Sequence, residues 1–337
     1  MASSPSKRVL LTGGAGFIGC WLTRRLLEKH PDWQLTNLDL LAYAGNLENL
    51  RDVADLPNYK FVQGDITDAK LVAQLMADTD IVINCAAQTH VDRSISGPTV
   101  FVHTNVLGTQ ILLEAARQNT IEKFVQISTD EVYGSIGDHT NRSESFNETS
   151  PIRPSSPYSA SKSGADLLAL GYHHTYGLPV CITRCSNNYG PNQYPEKLIP
   201  LFILNALADK AVPVYGDGLN VRDWIHVADH AEAVCRVVED GRPGEVYNIG
   251  SNNERTNLEI TKMILGILNK PESLIEYVTD RPGHDRRYAI DSSKIKKELN
   301  WQATRNFENS LKETVLWYQN NTQWVDGVKQ RQSAMAV

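Results

Sequence analysis

Residues 8–19 read RVLLTGGAGFIG, a short apolar run followed at once by Gly13, Gly14, Gly16 and Gly19. Such a run predicts a buried strand. Glycines at its carboxyl end let the chain turn tightly, approach an anion with backbone amides, and start a helix close against the sheet. The opening helix leaves unpaired N–H groups and a positive dipole end at the turn, an arrangement suited to a pyrophosphate. A glycine triplet alone is common in ordinary turns. Here Asp39 closes the next apolar run, twenty residues past Gly19. A carboxylate at that place accepts hydrogen bonds from an adenosine ribose and repels a 2′-phosphate, so the combination predicts NAD rather than NADP.

Outward from this stretch, apolar runs at 8–12, 34–39, 59–63, 80–85, 123–128 and 179–184 predict strands. Helical periodicity over 17–29, 99–118 and 158–176 predicts helices between them. The alternation predicts an α/β fold, a doubly wound parallel sheet of Rossmann type with ligands at the carboxyl ends of its strands. From Gly190 to Asn220 the text turns rich in Pro, Tyr and Gly, and a basic stretch begins at Arg281. These parts predict a smaller mixed α/β substrate-binding cap. The expected division is 1–188 for the dinucleotide-binding domain, completed by about 219–252, with 189–218 and 253–325 forming the cap and 326–337 a frayed tail.

With 337 residues, 41% hydrophobic and 21% charged, the chain falls in the globular range. A net charge of −6 argues against nucleic acid or an anionic membrane as the main partner. The five cysteines make no C-x-x-C pair and no zinc-ligand spacing, so no metal is expected, and scattered thiols suit a reducing cytosol. The first seven residues are polar, and no run reaches the roughly 20 apolar residues of a membrane span. The expectation is a cytoplasmic protein.

Tyr158 and Lys162 stand one helical turn apart, on one face of the predicted helix. A free phenol titrates near pH 10, so as a base it needs help from a neighbouring ammonium and a positive nicotinamide ring. Asp65 and Ile66 follow the third run and are placed to border an adenine. Ala86 and Ala87 follow the fourth and leave room for a close approach to the cofactor. A turn and a small-residue packing contact account for these two pairs equally well.

Four further segments, in order, carry a resemblance: Ser128-Thr129-Asp130-Glu131-Val132-Tyr133-Gly134, Cys185-Ser186-Asn187-Asn188-Tyr189-Gly190-Pro191, Pro195-Glu196-Lys197-Leu198-Ile199-Pro200, and Asp280-Arg281-Pro282-Gly283-His284-Asp285. Over nearly its whole length the chain resembles the extended short-chain dehydrogenase/reductase family, and within it the dTDP-glucose 4,6-dehydratases. The resemblance implies a lyase that turns a nucleotide-linked glucose, dTDP-glucose first of all, into the 4-keto-6-deoxy sugar and water. Thr129, Asp130, Glu131, Tyr158 and Lys162 would be catalytic. Tyr158 would take the 4-hydroxyl proton as hydride leaves C4 for NAD. Glu131 would take the C5 proton, Asp130 would protonate the departing C6 oxygen, and the hydride would return to C6 while Tyr158 or solvent completes the proton account at C5. Thr129 would bind the sugar near its 4-hydroxyl. Two carboxylates with separated pKa values suit that division of labour.

The resemblance also implies that Gly13, Gly16, Phe17, Ile18, Gly19, Asp39, Leu40, Ala42, Asp65, Ile66, Ala86, Ala87, Thr89, Thr104 and Asn188 join Tyr158 and Lys162 around NAD. Thr89, Thr129, Asn187, Lys197, Leu198, Pro213, Tyr215, Arg222, Asn257, Arg281 and His284 would hold the sugar nucleotide, with the arginines on its phosphates. A homodimer is implied, through the helices at 99–118 and 158–176, whose Ile111, Leu112, Leu113, Leu167 and Leu168 supply apolar surface. Leu40, Gln88, Cys20 and His226 depart from the family's usual lysine, glutamate, serine and tyrosine. None of them belongs to the catalytic set. Alternatives on the same fold are a UDP-sugar 4,6-dehydratase, a 4-epimerase or a decarboxylase; neither epimerisation nor decarboxylation needs an acid for a C6 hydroxyl. A non-catalytic NAD-binding protein is disfavoured because Tyr158, Lys162, Thr129, Asp130 and Glu131 are all kept.

Overall fold

The strand Arg8–Thr12 (β1) is buried along all but its first residue, because its apolar run is covered on both faces. In the computed structural model, which describes residues 6–136 and 143–335, it lies inside a seven-stranded sheet. Its companions are Gln34–Asp39 (β2), Tyr59–Gln63 (β3), Ile81–Asn84 (β4), Lys123–Thr129 (β5) and Val180–Cys185 (β6). Asn187–Tyr189 (β7), Val212–Tyr215 (β8) and Val221–His226 (β9) follow, then Val246–Ile249 (β10), Glu254–Thr256 (β11) and Ile275–Val278 (β12). The large sheet runs β10-β6-β5-β4-β1-β2-β3 with every pairing parallel. Chain order reverses between β1 and β4, and at such a switch point a crevice opens beyond the strand ends. Cap strands form two small sheets, β11-β9-β7 and β12-β8. Of the stretch 219–252, β10 joins the large sheet and β9 the cap sheet.

The helix Phe17–Lys29 buries Cys20, Leu22, Thr23, Leu26 and Leu27, a stripe at helical spacing. The helix Pro157–Tyr176 has a firm start: Ser156 and Ser159 cap each other's backbone, and Pro157 occupies the first turn. It stops at Gly177, which takes a left-handed φ of 70°.

Most expected elements occur within a residue of their predicted ends, but two differ. The helix expected over 99–118 is a turn at Thr99–Phe101, a π-helical stretch at Val102–Gly108 and an α-helix at Thr109–Gln118. In the π stretch the buried Asn105 accepts from the Gln88 amide at 2.8 Å and donates to the Gln88 carbonyl at 3.0 Å and to Ser161 Oγ at 2.8 Å. The frayed tail expected from Asp326 is instead part of a helix, Thr322–Met335, because Val325 and Val328 are buried against the body. The tail's last residues, 336–337, and the first five of the polar N-terminus lie outside the described residues. All five cysteines are free. Among the described residues no helix is long and apolar enough to cross a membrane, and no cluster of His, Cys, Asp and Glu is fit to hold a metal.

Candidate active site

At the switch point the glycine loop is held open by contacts only glycine permits. Gly13 has a φ of 71°, and a Cβ there would lie 2.7 Å from the Ala86 backbone. A Cβ on Gly19 would run into the Gly13 carbonyl and come within 2.7 Å of Gly14 Cα. Four of the loop's amides are already engaged: Gly14 N–H with Asn37 Oδ1 and Ala15 N–H with Asp39 Oδ2, both at 2.9 Å, Gly13 N–H with the Leu38 carbonyl at 2.9 Å, and Gly16 N–H with the Gly13 carbonyl at 3.2 Å. Asp39 Oδ1 accepts from Leu41 N–H at 2.8 Å, so the carboxylate is fixed at the end of β2. Burial raises the Asp39 pKa, and its two amide donors oppose the shift. No side chain caps the helix that follows Gly16, so its first N–H groups are left for a ligand.

Gly16, Phe17, Ile18 and Gly19 line a cleft of about 1560 Å³ including its open mouth. Gly13, Asp39, Leu40, Ala42, Asp65, Ile66, Ala86, Ala87, Thr89, Thr104, Tyr158, Lys162 and Asn188 line it too, so the whole expected cofactor set faces one space.

The far end of the cleft holds the chemistry. Lys162 is 5% exposed and donates to the Ile127 carbonyl at 2.6 Å. Burial lowers its pKa, and the Asp166 carboxylate is the first charge to oppose that. Tyr158, at 7% exposure, is pushed well above the usual phenol range by burial and then by Glu131, while Thr129 pulls the other way. Thr129 caps the short turn Asp130–Tyr133, accepting from the Glu131 amide at 3.3 Å. Asp130 is 2% exposed, and its Oδ2 has no hydrogen-bond partner among the described residues. Burial, then Glu131 and Asp223, hold its pKa well above the carboxylate range. Glu131 is also raised by burial, but Arg281, Lys197 and Arg222 oppose the shift. Two adjacent carboxyls thus sit in different fields, one raised further by neighbouring carboxylates and one faced by three cations.

Thr89, Thr129, Asn187 and Lys197 of the expected substrate set line the cleft, and Lys197 Nζ donates to the Thr89 carbonyl at 2.9 Å. Leu198, Pro213, Tyr215, Arg222, Asn257, Arg281 and His284 lie outside its lining, in the cap. Tyr215 and Arg281 both reach Asp92, at 3.2 and 3.3 Å, and His284 lies edge-on to the Tyr215 ring. Arg222 is buried over the Tyr288 ring at 4.3 Å and donates to the Asp285 carbonyl at 2.9 Å. Asn257 opens a cap helix, its Oδ1 without a hydrogen-bond partner among the described residues, and Leu198 opens the helix Leu198–Leu207. Among the departures, Leu40 is 47% exposed, Gln88 lines the cleft, and Cys20 and His226 are buried.

Sequence reading missed Tyr43 and Tyr194, whose rings meet edge-on at 5.4 Å in the cleft wall, and Glu196, bridged to Arg93 at 3.3 Å. Glu196 lies inside a motif already singled out. The tyrosines belong to no local pattern, and Asp92 is joined to its partners only by folding.

The profile of the family described as GDP-mannose 4,6 dehydratase matches residues 10–314. A dTDP-glucose 4,6-dehydratase of Shigella flexneri is 49% identical, covering 96% of this chain and 95% of its own. The chain belongs to the dTDP-glucose 4,6-dehydratase family. A solved member of that family from Streptomyces venezuelae, crystallised with NAD, superposes with a TM-score of 0.91 at 49% identity over 94% of this chain and 98% of that one. Its fold is also used outside the dehydratase family. A UDP-glucose 4-epimerase of Thermotoga maritima reaches a TM-score of 0.86 at 29% identity over 94% and 99%. The residues at the end of the cleft therefore have to decide the reaction.

Proposed function

We propose that the chain converts dTDP-glucose to dTDP-4-keto-6-deoxyglucose and water, with NAD held throughout turnover. One observation carries the reading: beside Tyr158 and Lys162, burial holds the Asp130 pKa well above the carboxylate range, while Arg281, Lys197 and Arg222 oppose that shift at its neighbour Glu131. Removal of water across C5 and C6 needs an acid and a base in that relation. A 4-epimerase has no use for the acid.

The residues fit the cofactor. The uncapped helix start suits a pyrophosphate, and Asp39, with each oxygen keeping a lone pair beyond its amide donor, suits a ribose diol. Bound there, NAD would supply the hydride acceptor for C4 oxidation and the hydride source for reduction at C6. Tyr158 takes the 4-hydroxyl proton, Lys162 keeps positive charge beneath the phenol, and Thr129 orients the hydroxyl. Once C4 is a ketone the C5 hydrogen is acidic. Glu131 removes it, and Asp130 gives its proton to the C6 oxygen as water leaves. As C6 takes the hydride, Tyr158 or solvent returns a proton to C5, and the proton held by Glu131 reloads Asp130. Arg222, Arg281 and Lys197 offset the diphosphate's charge, while Pro213 and Tyr215 wall the base, with Asn187, Leu198, Asn257 and His284 around them.

We further propose the division 1–188 with 219–252 against 189–218 with 253–325, and a cytoplasmic homodimer. Leu112 and Leu113 are fully buried inside the subunit, which leaves Val100, Val102, Leu107, Leu167 and Tyr176 as exposed apolar surface for a partner. A monomeric mass by light scattering at micromolar concentration contradicts the dimer. Incubation with dTDP-glucose, UDP-glucose and GDP-mannose tests the function. Mass analysis should find loss of one water from the dTDP sugar first, and an isomer of unchanged mass would contradict the dehydratase reading.

A further inference from the structure

Between the helix that carries Tyr158 and the turn that carries Asp130 lies an ion pair the reaction does not use. Asp166 is one helical turn beyond Lys162 and fully buried. Arg184, on β6, donates from Nε to Asp166 Oδ2 at 2.9 Å and from Nη1 to Tyr133 Oη at 3.0 Å. Tyr133 is the last residue of the turn Asp130–Tyr133, and its hydroxyl donates in turn to Asn248 Oδ1 on β10 at 2.8 Å. The guanidinium carbon lies 4.9 Å from the centre of the Tyr133 ring. One buried side chain is thus bonded to both halves of the catalytic apparatus.

We propose that Arg184 is a positioning residue that fixes the Tyr158/Lys162 helix against the Asp130/Glu131 turn, so that C4 oxidation and C5–C6 elimination occur on one sugar without its moving. The proposal rests on the dehydratase reading. Cohesion alone does not call for this arrangement, because buried ion pairs are often no more stabilising than apolar residues of the same size. A planar guanidinium adds what an apolar pair lacks, two directed bonds at a set angle. Such direction matters where two bases must reach neighbouring carbons, since reacting groups have to be held to about 0.5 Å. Asp166 also acts back on the site as the first charge supporting the Lys162 ammonium.

The test uses the NAD-loaded protein and two variants. Tyr133→Phe removes one hydroxyl, and the double variant Asp166→Leu/Arg184→Met removes both charges together. Single-turnover oxidation of dTDP-glucose, exchange of the C5 hydrogen with deuterated water, and amide hydrogen exchange over 130–133 are measured in each. Tyr133→Phe should leave oxidation within about threefold of wild type while C5 exchange falls about tenfold to a hundredfold, the cost of a displaced catalytic group. Amide exchange over 130–133 should rise by about tenfold in both variants, without a matching rise across the large sheet. Oxidation and C5 exchange falling in equal proportion, with amide exchange over 130–133 unchanged, overturns the proposal and leaves Arg184 structural. If the double variant does not fold, Tyr133→Phe decides alone. If wild type leaves dTDP-glucose unchanged, the dehydratase reading fails, and amide exchange still reports separately on the clamp.

Discussion

Replacing Gly19 with alanine adds one methyl where three backbone atoms already stand. The nearest is the Gly13 carbonyl oxygen, with Gly14 Cα at 2.7 Å and the Gly13 carbonyl carbon at 2.8 Å. Ordinary contact begins at 3.4 Å, so loop and helix must part by at least 0.7 Å to clear Gly14 Cα, and by more to clear the Gly13 oxygen. None of the three is a side chain that can swing aside. The displaced segment is the one whose unpaired amides face the cleft. Each amide bond to a phosphate oxygen is charge-assisted and contributes about 1.5–3 kcal/mol, so losing one weakens NAD binding by about tenfold to a hundredfold. Gly266→Ala is the control. It adds the same methyl in a helix with nothing within 4 Å, and should stabilise by about 0.5–1 kcal/mol through backbone entropy without touching NAD affinity. Titration calorimetry on cofactor-stripped protein measures both. A Gly19→Ala protein that binds NAD as tightly as wild type would refute the reasoning.

The two halves of the chemistry should separate by mutation. Glu131→Gln should still oxidise C4, giving a nicotinamide absorbance change in single turnover without 6-deoxy product. Tyr158→Phe should slow oxidation itself by about 10²- to 10⁴-fold, so absorbance is again the readout. Asp130 gives a stability prediction. Its folded pKa lies well above the ordinary aspartate value of 3.8, so below that pH both states hold the proton and burial costs nothing. As pH rises past 3.8, the unfolded chain releases the proton and the folded chain does not, so stability falls by up to about 1.4 kcal/mol per pH unit. Asp130→Asn should therefore match wild type in denaturant melts near pH 3.8 and exceed it increasingly toward neutrality. A gap that is constant with pH counts against the buried acid.

What the sequence made legible was local. The glycine loop, Asp39, the Thr129-Asp130-Glu131 run and the Tyr158/Lys162 pair each fit within one element or its end, where spacing alone sets the geometry. The π stretch at Val102–Gly108 left no such trace, since its extra residue per turn is stabilised by Asn105 reaching Gln88 and Ser161, contacts made only on folding. The same holds for Asp92, Tyr43 and Tyr194. The last helix was misread because its two buried valines are sparse in a polar stretch, and the surface that covers them is distant in sequence. Arg184 and Asp166 were invisible as a pair for the same reason, lying on a strand and a helix joined by no motif.

The central claim is that hydride leaves C4 and returns to C6 of one sugar while water is lost, and dTDP-glucose deuterated at C4 tests it most directly. After conversion in ordinary water, nuclear magnetic resonance and mass analysis should find the deuterium in the C6 methyl group of a 4-keto product lighter by one water. Mixing labelled and unlabelled substrate should yield no redistribution of label between molecules. Deuterium retained at C4 of an epimerised sugar, or washed out to solvent, would contradict the account.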